Sequence, residues 1–556
     1  MSRLALEESA VQELMLDRED RLCPECGQRM HIRSRRSRSI LTLEGPIRLS
    51  IGLVKCCDQQ CQHDRLYSPE QEARLAMPRW GIGWDVFCWI GQRRFSRHWS
   101  VPQIREELRD TYDLKLSDDA IEDHIASYQN MVAARHQDPQ ELANLYRDTK
   151  QIVLTIDGLQ PEKGHETLYV VREVTQNRVW FAEPLLSGAT DEIRKLFVRA
   201  KEIAARHELK VVLWISDKQD AFVKCVADEF PDVPHRYCVN HFFRDLAKPV
   251  QALDSTAKKK MRAKIRGLRA LEREVLEAQQ AETSVSNEPS DETNEAPDPS
   301  SLEGDGGAVV LDFCSAVRGI LNDNHGGPCN PSGIRMVDAL ADVQESLGRI
   351  AASGKSGAAF TLLDRLKGFI DRGVAEQQAT FSRVRGYTDH VREVVEILSV
   401  EEGGSLSGRE PLFAARRAEF ESFADDKIYQ SMAKMMASFE AGLFAGIELT
   451  AYPYDNLDIE RWFRGPKSHE RRIHGHKHAG IRIVREGATL IPALDAHAQH
   501  SDVFSEQELT RFVGATAPAS QLASQERHKI MKKSRSKKKR IILLNQLEVR
   551  LLNPNH

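Results

Sequence analysis

Apolar residues recur along this chain with two different periods, and the switches between them outline the elements. Period-two alternation over Ile40–Leu43 and Ile47–Val54, interrupted by Gly45-Pro46, predicts a strand pair joined by a turn. From Trp84 to about Tyr146 the spacing becomes helical. Ile104 and Leu108 mark the inner side of one helix, and Ser117 is suited to cap a second that carries Ile121, Ile125 and Tyr128. Helix, short turn and capped helix outline a helix-turn-helix reader of DNA, although a plain helical hairpin has the same pattern. The acids Asp118, Asp119, Glu122 and Asp123 give the second helix the wrong sign for phosphates.

Strand patterns return at Gln151–Ile156, Thr167–Val174 and Arg178–Pro184. A helix follows over Asp191–His207, then a strand Lys210–Ile215, a helix Ala221–Phe230 and a short strand His235–Val239. That order is the one expected of a ribonuclease-H-like α/β core. Beyond His241 the pattern is helical and charged to about Gln280. Residues 281–308, rich in Ser, Glu, Asp, Pro and Gly, read as a disordered acidic linker. Residues 309–445 are mostly helical, with breaks at Gly354–Gly357 and Gly403–Gly408, and a further helix is expected over Asp455–Phe463.

Ten cysteines are present, and five of them fall between Cys23 and Cys61. Clustering of this kind favours metal ligation over a disulfide framework. Cys23-Pro24-Glu25-Cys26 forms one knuckle, and Cys57 with Cys61 is the expected second, with Cys56 or His63 as substitutes. Four such ligands at the ends of a hairpin make a zinc ribbon with a structural Zn²⁺.

The net charge of −4 hides an uneven distribution. Basic residues gather at Arg29–Arg38 and Arg527–Arg540, and acids around Asp291–Asp305. Binding to nucleic acid depends on local basic surface, so the balance leaves DNA open as a partner. The tail from Arg527 to Arg540 contains no acid and reads as a disordered, polyanion-binding end. No run of eighteen apolar residues and no leader pattern is seen, so a cytoplasmic location with no membrane partner is expected.

Asp157 ends the first strand of the α/β segment and Asp217 ends the fourth. If those strands are neighbours, the two carboxylates stand side by side and need a cation to remain ionised together. Mg²⁺ or Mn²⁺ meets that need, and paired ions can drive displacement at phosphorus. Glu460, on the helix Asp455–Phe463, is the expected third ligand, with Asp458 as the main competitor and Asp455 a weaker one. The basic run Arg471-Arg472-Ile473-His474-Gly475-His476-Lys477 is suited to receive phosphates. His235, His469 and His474 read as surface residues.

Ile156-Asp157-Gly158, Ser216-Asp217, Phe230-Pro231 with His235-Arg236-Tyr237-Cys238-Val239-Asn240-His241, and Asn456-x-x-x-Glu460-Arg461 occur in that order. In them the chain resembles the DDE transposases of bacterial insertion sequences and their mutator-like relatives, over roughly residues 150–250 and 450–480. The resemblance implies a ribonuclease-H-like core interrupted by a helical insertion, with Asp157, Asp217 and Glu460 binding catalytic Mg²⁺. It implies cleavage of double-stranded DNA at terminal inverted repeats, strand transfer into target DNA, a nucleoid location and at least a dimer on DNA. The family's Cys-x-x-His is met by Cys238 and His241, whose role stays open between packing and a local contact. A site-specific nuclease and a zinc-ribbon DNA-binding regulator without catalysis are the alternatives.

The expected architecture is multidomain α+β. A zinc ribbon (1–75) and a helix-turn-helix-like segment (76–147) precede the first part of the core (148–250). A helical insertion (251–445), the second part of the core (446–485) and a C-terminal region (486–556) follow.

Overall fold

Alternation along the N-terminal strands buries one face and leaves the other to arginines. Strand β1 (Gln12–Leu16) runs parallel to β3 (Gly45–Cys56), which pairs antiparallel with β2 (Met30–Thr42). Leu16, Ile40, Leu49 and Ile51 form the buried side. The sequence pattern starts β2 at Ile40, but the strand extends back through the arginine-rich stretch to Met30. Arg36 and Arg38 escape the apolar rule because both bind the buried carboxylate of Glu72, at 2.7 and 3.1 Å.

The computed structural model describes residues 11–58, 61, 65–160, 165–285, 302, 305–400, 404–475, 480–500 and 502–552. They fall into two compact units, Met1–His235 with Asn456–His556, and Arg236–Asp455. The chain is a mixed α+β, multidomain protein, mostly helical, with two small mixed sheets.

In the first unit, Ser100 and Ser117 cap the helices Val101–Tyr112 and Asp118–His136. Both pack with Trp84–Phe95 and Gly480–Gln499 around one core that includes Phe87, Ile104, Ile121, Tyr128 and Leu490. Asp118–His136 buries eight residues, and the side left exposed carries Asp119, Glu122 and Asp123.

The second sheet comprises β4 (Gln151–Leu159), β5 (Thr167–Glu173), β6 (Arg178–Leu185), β7 (Lys210–Ser216) and the short edge strand β8 (His235–Tyr237), where the chain leaves the first unit. Its order is β6-β5-β4-β7-β8, with β4 antiparallel to β5 and parallel to β7. Ile152, Leu154 and Ile156 face Trp214, Phe197 and Phe222 beneath the helices Thr190–Arg206 and Asp220–Glu229. The opposite face, with Leu159, Leu168 and Val170, is covered by Ile459, Phe463, Ile483 and Ile491. These come from Leu457–Trp462 with its following residue and from Gly480–Gln499.

The second unit is helical. Val239–Lys264 is its axis, packed by Ser332–Ala352, Ala358–Ala375, Gln378–Leu398 and Lys427–Leu443. Two buried charges organise it. Asp254 accepts the amides of Gly333 and Ile334 at 2.8 and 3.0 Å, which satisfies free N–H groups at the start of Ser332–Ala352. Arg236, wholly buried, donates to the carbonyls of Ala445, Tyr452 and Pro453 at 3.0 to 3.2 Å. One guanidinium thus ties the first residue of this unit to the segment that ends it.

One expectation of disorder is corrected for the basic tail, and the other only at the ends of its stretch. The ends of the acidic stretch 281–308 are helical, in Leu268–Val285 and Asp305–Asn322, while 286–301 and 303–304 lie outside the described residues. The basic tail is helical as well, in Ala519–Arg535 and Lys537–Leu552. The first of these helices docks through the buried Gln521 and Ser524, and Arg527 pairs with Glu166 at 2.6 Å.

Gly91 tests the packing of the helical core. A Cβ at this position would overlap the Tyr128 ring, which is itself fully buried. Gly91→Ala is expected to destabilise the protein by about 1–3 kcal/mol, as overpacking does. Urea denaturation reads this directly, and an unchanged midpoint would contradict so close an approach.

Candidate active site and cysteine cluster

Asp157 and Asp217 owe their positions to strand register. The last β4–β7 pair is Ile156 with Ser216, so each aspartate is the next residue along two parallel neighbours. Period two puts Asp157 on the same face as Thr155 and Leu159, the face covered by Ile459 and Phe463. Both aspartates are half-buried. The Gly158 amide donates to Asp157 Oδ1 at 2.7 Å, and the Gln219 amide lies 3.4 Å from Asp217 Oδ1. Burial, and then the charges of Asp217 and Asp157, push the Tyr169 phenol up from its ordinary pKa. One ring therefore senses both carboxylates.

The strand end carrying Asp217 is held from behind. Ser216 Oγ donates to the Asp217 carbonyl at 2.6 Å and lies 2.8 Å from His235 Nε2. Its single proton is already given away, so His235 donates from Nε2. Burial holds this imidazole neutral, with its pKa pushed down to about 4.

Glu460 sits on the helix Leu457–Trp462, which polar bonds tie to the sheet through Asn456 and Asp458 and to the helix Gly480–Gln499 through Trp462. Asn456 Oδ1 accepts from Thr155 Oγ1, and Asn456 Nδ2 donates to the Ile156 carbonyl at 3.3 Å. Asp458 pairs with Arg172, a buried guanidinium on β5. Trp462 Nε1 donates to Asp495 Oδ1 at 3.0 Å. Glu460 stands one turn beyond Asn456, on the side that bonds to β4. Among the described residues, the oxygens of Asp157, Asp217 and Glu460 do not all come within 4.8 Å of one another.

The competitors for the third carboxylate have other partners. Asp458 is engaged by Arg172, and Asp455, in the second unit, accepts from Asn240 Nδ2 at 3.1 Å. Cys238 is buried at the start of Val239–Lys264 in that unit, with His241 in the first turn. Sequence reasoning missed Asp495, because an acid within the otherwise apolar Ala488–Ala496 carries no motif. His469 is not a surface residue as expected. It is 1% exposed, stacks on Phe95 at 5.8 Å and lies 3.0 Å from the His98 ring nitrogen.

Basic side chains follow the Glu460 helix. Arg461, Arg464, Arg471 and Arg472 are exposed, the last three on Arg464–His474, while Pro466, His469 and Ile473 face inward. His476 and Lys477 lie outside the described residues.

The cysteine cluster differs from expectation in one ligand. Cys23, Cys26, Cys56 and Cys61 bring their sulfurs within 4.8 Å of one another. Cys23 and Cys61 are 4.0 Å apart, and Cys26 and Cys56 are 3.5 Å apart. Four thiolates about 2.3 Å from a tetrahedral Zn²⁺ stand about 3.8 Å from each other, so the set fits zinc. Hydrogen bonds from the Cys26 and Glu25 amides bring the Cys23 thiol down to about 7, which favours the thiolate a metal needs. Cys57, the expected ligand, is outside the cluster. Cys56 ends β3 on the same side as Val54, and the next residue turns away, leaving Cys57 exposed with its sulfur 4.0 Å from the Lys55 carbonyl. His63 lies outside the described residues.

No protein-family model matches the chain, and no curated protein matches it. Among the described residues, no helix is long and apolar enough to cross a membrane.

The cysteine assignment is tested by metal analysis. Purified protein is expected to carry about one Zn²⁺ per chain, as a four-thiolate site requires. Cys56→Ser should lose most of it, and Cys57→Ser should keep it. Zinc retained in Cys56→Ser but lost in Cys57→Ser would reverse the correction.

Proposed function

We propose that this protein is a DDE-type transposase that cuts DNA at the ends of a mobile element and joins those ends to target DNA. The observation that carries the reading is the adjacency of Asp157, within β4, and Asp217, just past the end of its parallel neighbour β7, with a helix that brings Glu460 to the same sheet. The strand order β6-β5-β4-β7-β8, with helices following β6 and β7, supports a ribonuclease-H-like core.

Asp157, Asp217 and Glu460 would hold Mg²⁺ or Mn²⁺. Bound there, the metal would supply an activated oxygen nucleophile and charge neutralisation at phosphorus. The protein's own contribution is alignment. An aspartate inside β4, another just past the end of β7 and a glutamate on a tethered helix would keep the carboxylates in register.

Double-stranded DNA is the proposed partner. Arg461, Arg464, Arg471 and Arg472 would meet phosphates beside the carboxylates. The exposed Lys532, Lys533, Arg535 and Lys537–Arg540 extend a cationic surface along the C-terminal helices. The acidic exposed side of Asp118–His136 disfavours that helix as the groove reader, so end recognition falls to the N-terminal ribbon and these basic helices. Action at two ends together calls for at least a dimer.

The test is cleavage of a plasmid carrying the gene's flanking DNA, with Mg²⁺ or Mn²⁺. Cuts at the element ends should occur with the wild type and fall at least a hundredfold in Asp157→Asn, Asp217→Asn and Glu460→Gln, about the loss that follows removal of a group central to transition-state stabilisation. Binding of those ends with no cutting under either metal would make the protein a DNA-binding regulator instead. Cuts that survive only in Glu460→Gln would move the third ligand elsewhere.

A further inference from the structure

The helix Leu457–Trp462 is six residues long, too short to hold its own shape, so the bonds at its ends decide where Glu460 lies. At its start are Asn456 and Asp458, both reaching the sheet. At its end is one polar bond, from Trp462 Nε1 to Asp495 Oδ1 at 3.0 Å.

Asp495 lies inside the helix Gly480–Gln499 and is 2% exposed. A buried carboxylate persists only when its lone pairs are filled. Its Oδ2 accepts the Val179 amide at 2.8 Å and Gln499 Nε2 at 3.2 Å, and His136 Nε2 lies 3.2 Å away. His136 Nε2 is also 2.9 Å from the Val179 carbonyl, and Arg178 donates to the His136 carbonyl at 2.6 Å. One oxygen is therefore committed to edge strand β6 and the helical core. Among the described residues, the other accepts from Trp462 alone.

We propose that Asp495 is a positioning residue for the metal site. Anchored to β6 through Oδ2, it fixes the far end of the Glu460 helix through Oδ1, and so sets where the third carboxylate stands relative to Asp157 and Asp217. The inference rests on the transposase reading, because it needs Glu460 to be a metal ligand.

The test uses Mn²⁺ binding to the full chain, followed by electron paramagnetic resonance, so that no DNA cutting is required. Trp462→Phe removes the indole donor and keeps an aromatic ring, which leaves the fold intact by circular dichroism. It should weaken Mn²⁺ binding at the Asp157/Asp217-dependent site about tenfold, as loss of one hydrogen bond to a charged group does. Trp462→His, which restores a ring N–H, should recover part of the loss. His136→Asn is the control: it touches only the Oδ2 side, and should lower the melting temperature while changing Mn²⁺ affinity less than Trp462→Phe does.

Wild-type affinity in a folded Trp462→Phe variant would overturn the inference and leave the transposase reading standing. Equal weakening in Trp462→Phe and His136→Asn, in proportion to lost stability, would reduce Asp495 to a packing role. Absence of Mn²⁺ binding that depends on Asp157 and Asp217 in the wild type would overturn both.

Discussion

The first unit depends on a polar clasp that closes across about 300 positions of sequence. Thr155 and the Ile156 carbonyl on β4 bind Asn456, separated from them by 301 and 300 positions. Closing a loop that long costs only slightly more than closing one half its length, because the entropy grows with the logarithm of length. An entire helical unit can therefore sit between β8 and the Glu460 helix without weakening the sheet much. The cost falls on folding order, since long-range pairings are slow to form. Apolar contacts of Ile459 and Phe463 with the sheet supply most of the attraction, and the side chain of Asn456 supplies the register. A buried amide with the wrong neighbours is penalised by about 1–3 kcal/mol, which excludes displaced dockings that apolar packing would tolerate.

Local pattern made the placement of the two candidate aspartates legible in the sequence. Asp157 and Asp217 follow apolar runs, and an apolar run ending in an acid has few places to go in a sheet. Their adjacency still needed the β4–β7 pairing, which no local pattern encodes. Ser117 capped its helix as local chemistry dictates, and the hairpin β2–β3 formed where alternation was clear. The start of β2 was hidden because Arg36 and Arg38 find Glu72 from a helix more than thirty positions away. Cys57 was preferred to Cys56 on spacing alone; the pleat of β3 made the opposite choice. Asp495 and Arg236 were invisible for one shared reason. Each is a single charge whose partners are backbone or distant side chains, and only the folded chain reveals them.

Electrostatics divides the exposed surface in a way that bulk composition conceals. The helix Asp118–His136 shows acids to solvent, whereas Arg464–His474 and the C-terminal helices show cations. A net charge of −4 averages these away. Long-range attraction to a polyanion is screened within about 8–10 Å at physiological salt, so a phosphate backbone responds to the nearest patch and not to the total. The basic helix Arg464–His474 begins one turn of chain after Glu460, and carboxylates repel phosphate unless a cation lies between them. On the proposed reading, cations on the protein and a divalent ion in the site would perform separate tasks: the arginines would hold the backbone, and the carboxylates would admit it only with metal bound. An enzyme built this way should bind DNA without metal and lose little of that binding when Asp157 or Asp217 is neutralised. Binding and chemistry would then be carried by different residues on adjoining elements, with the three ties on the Glu460 helix keeping the two in register.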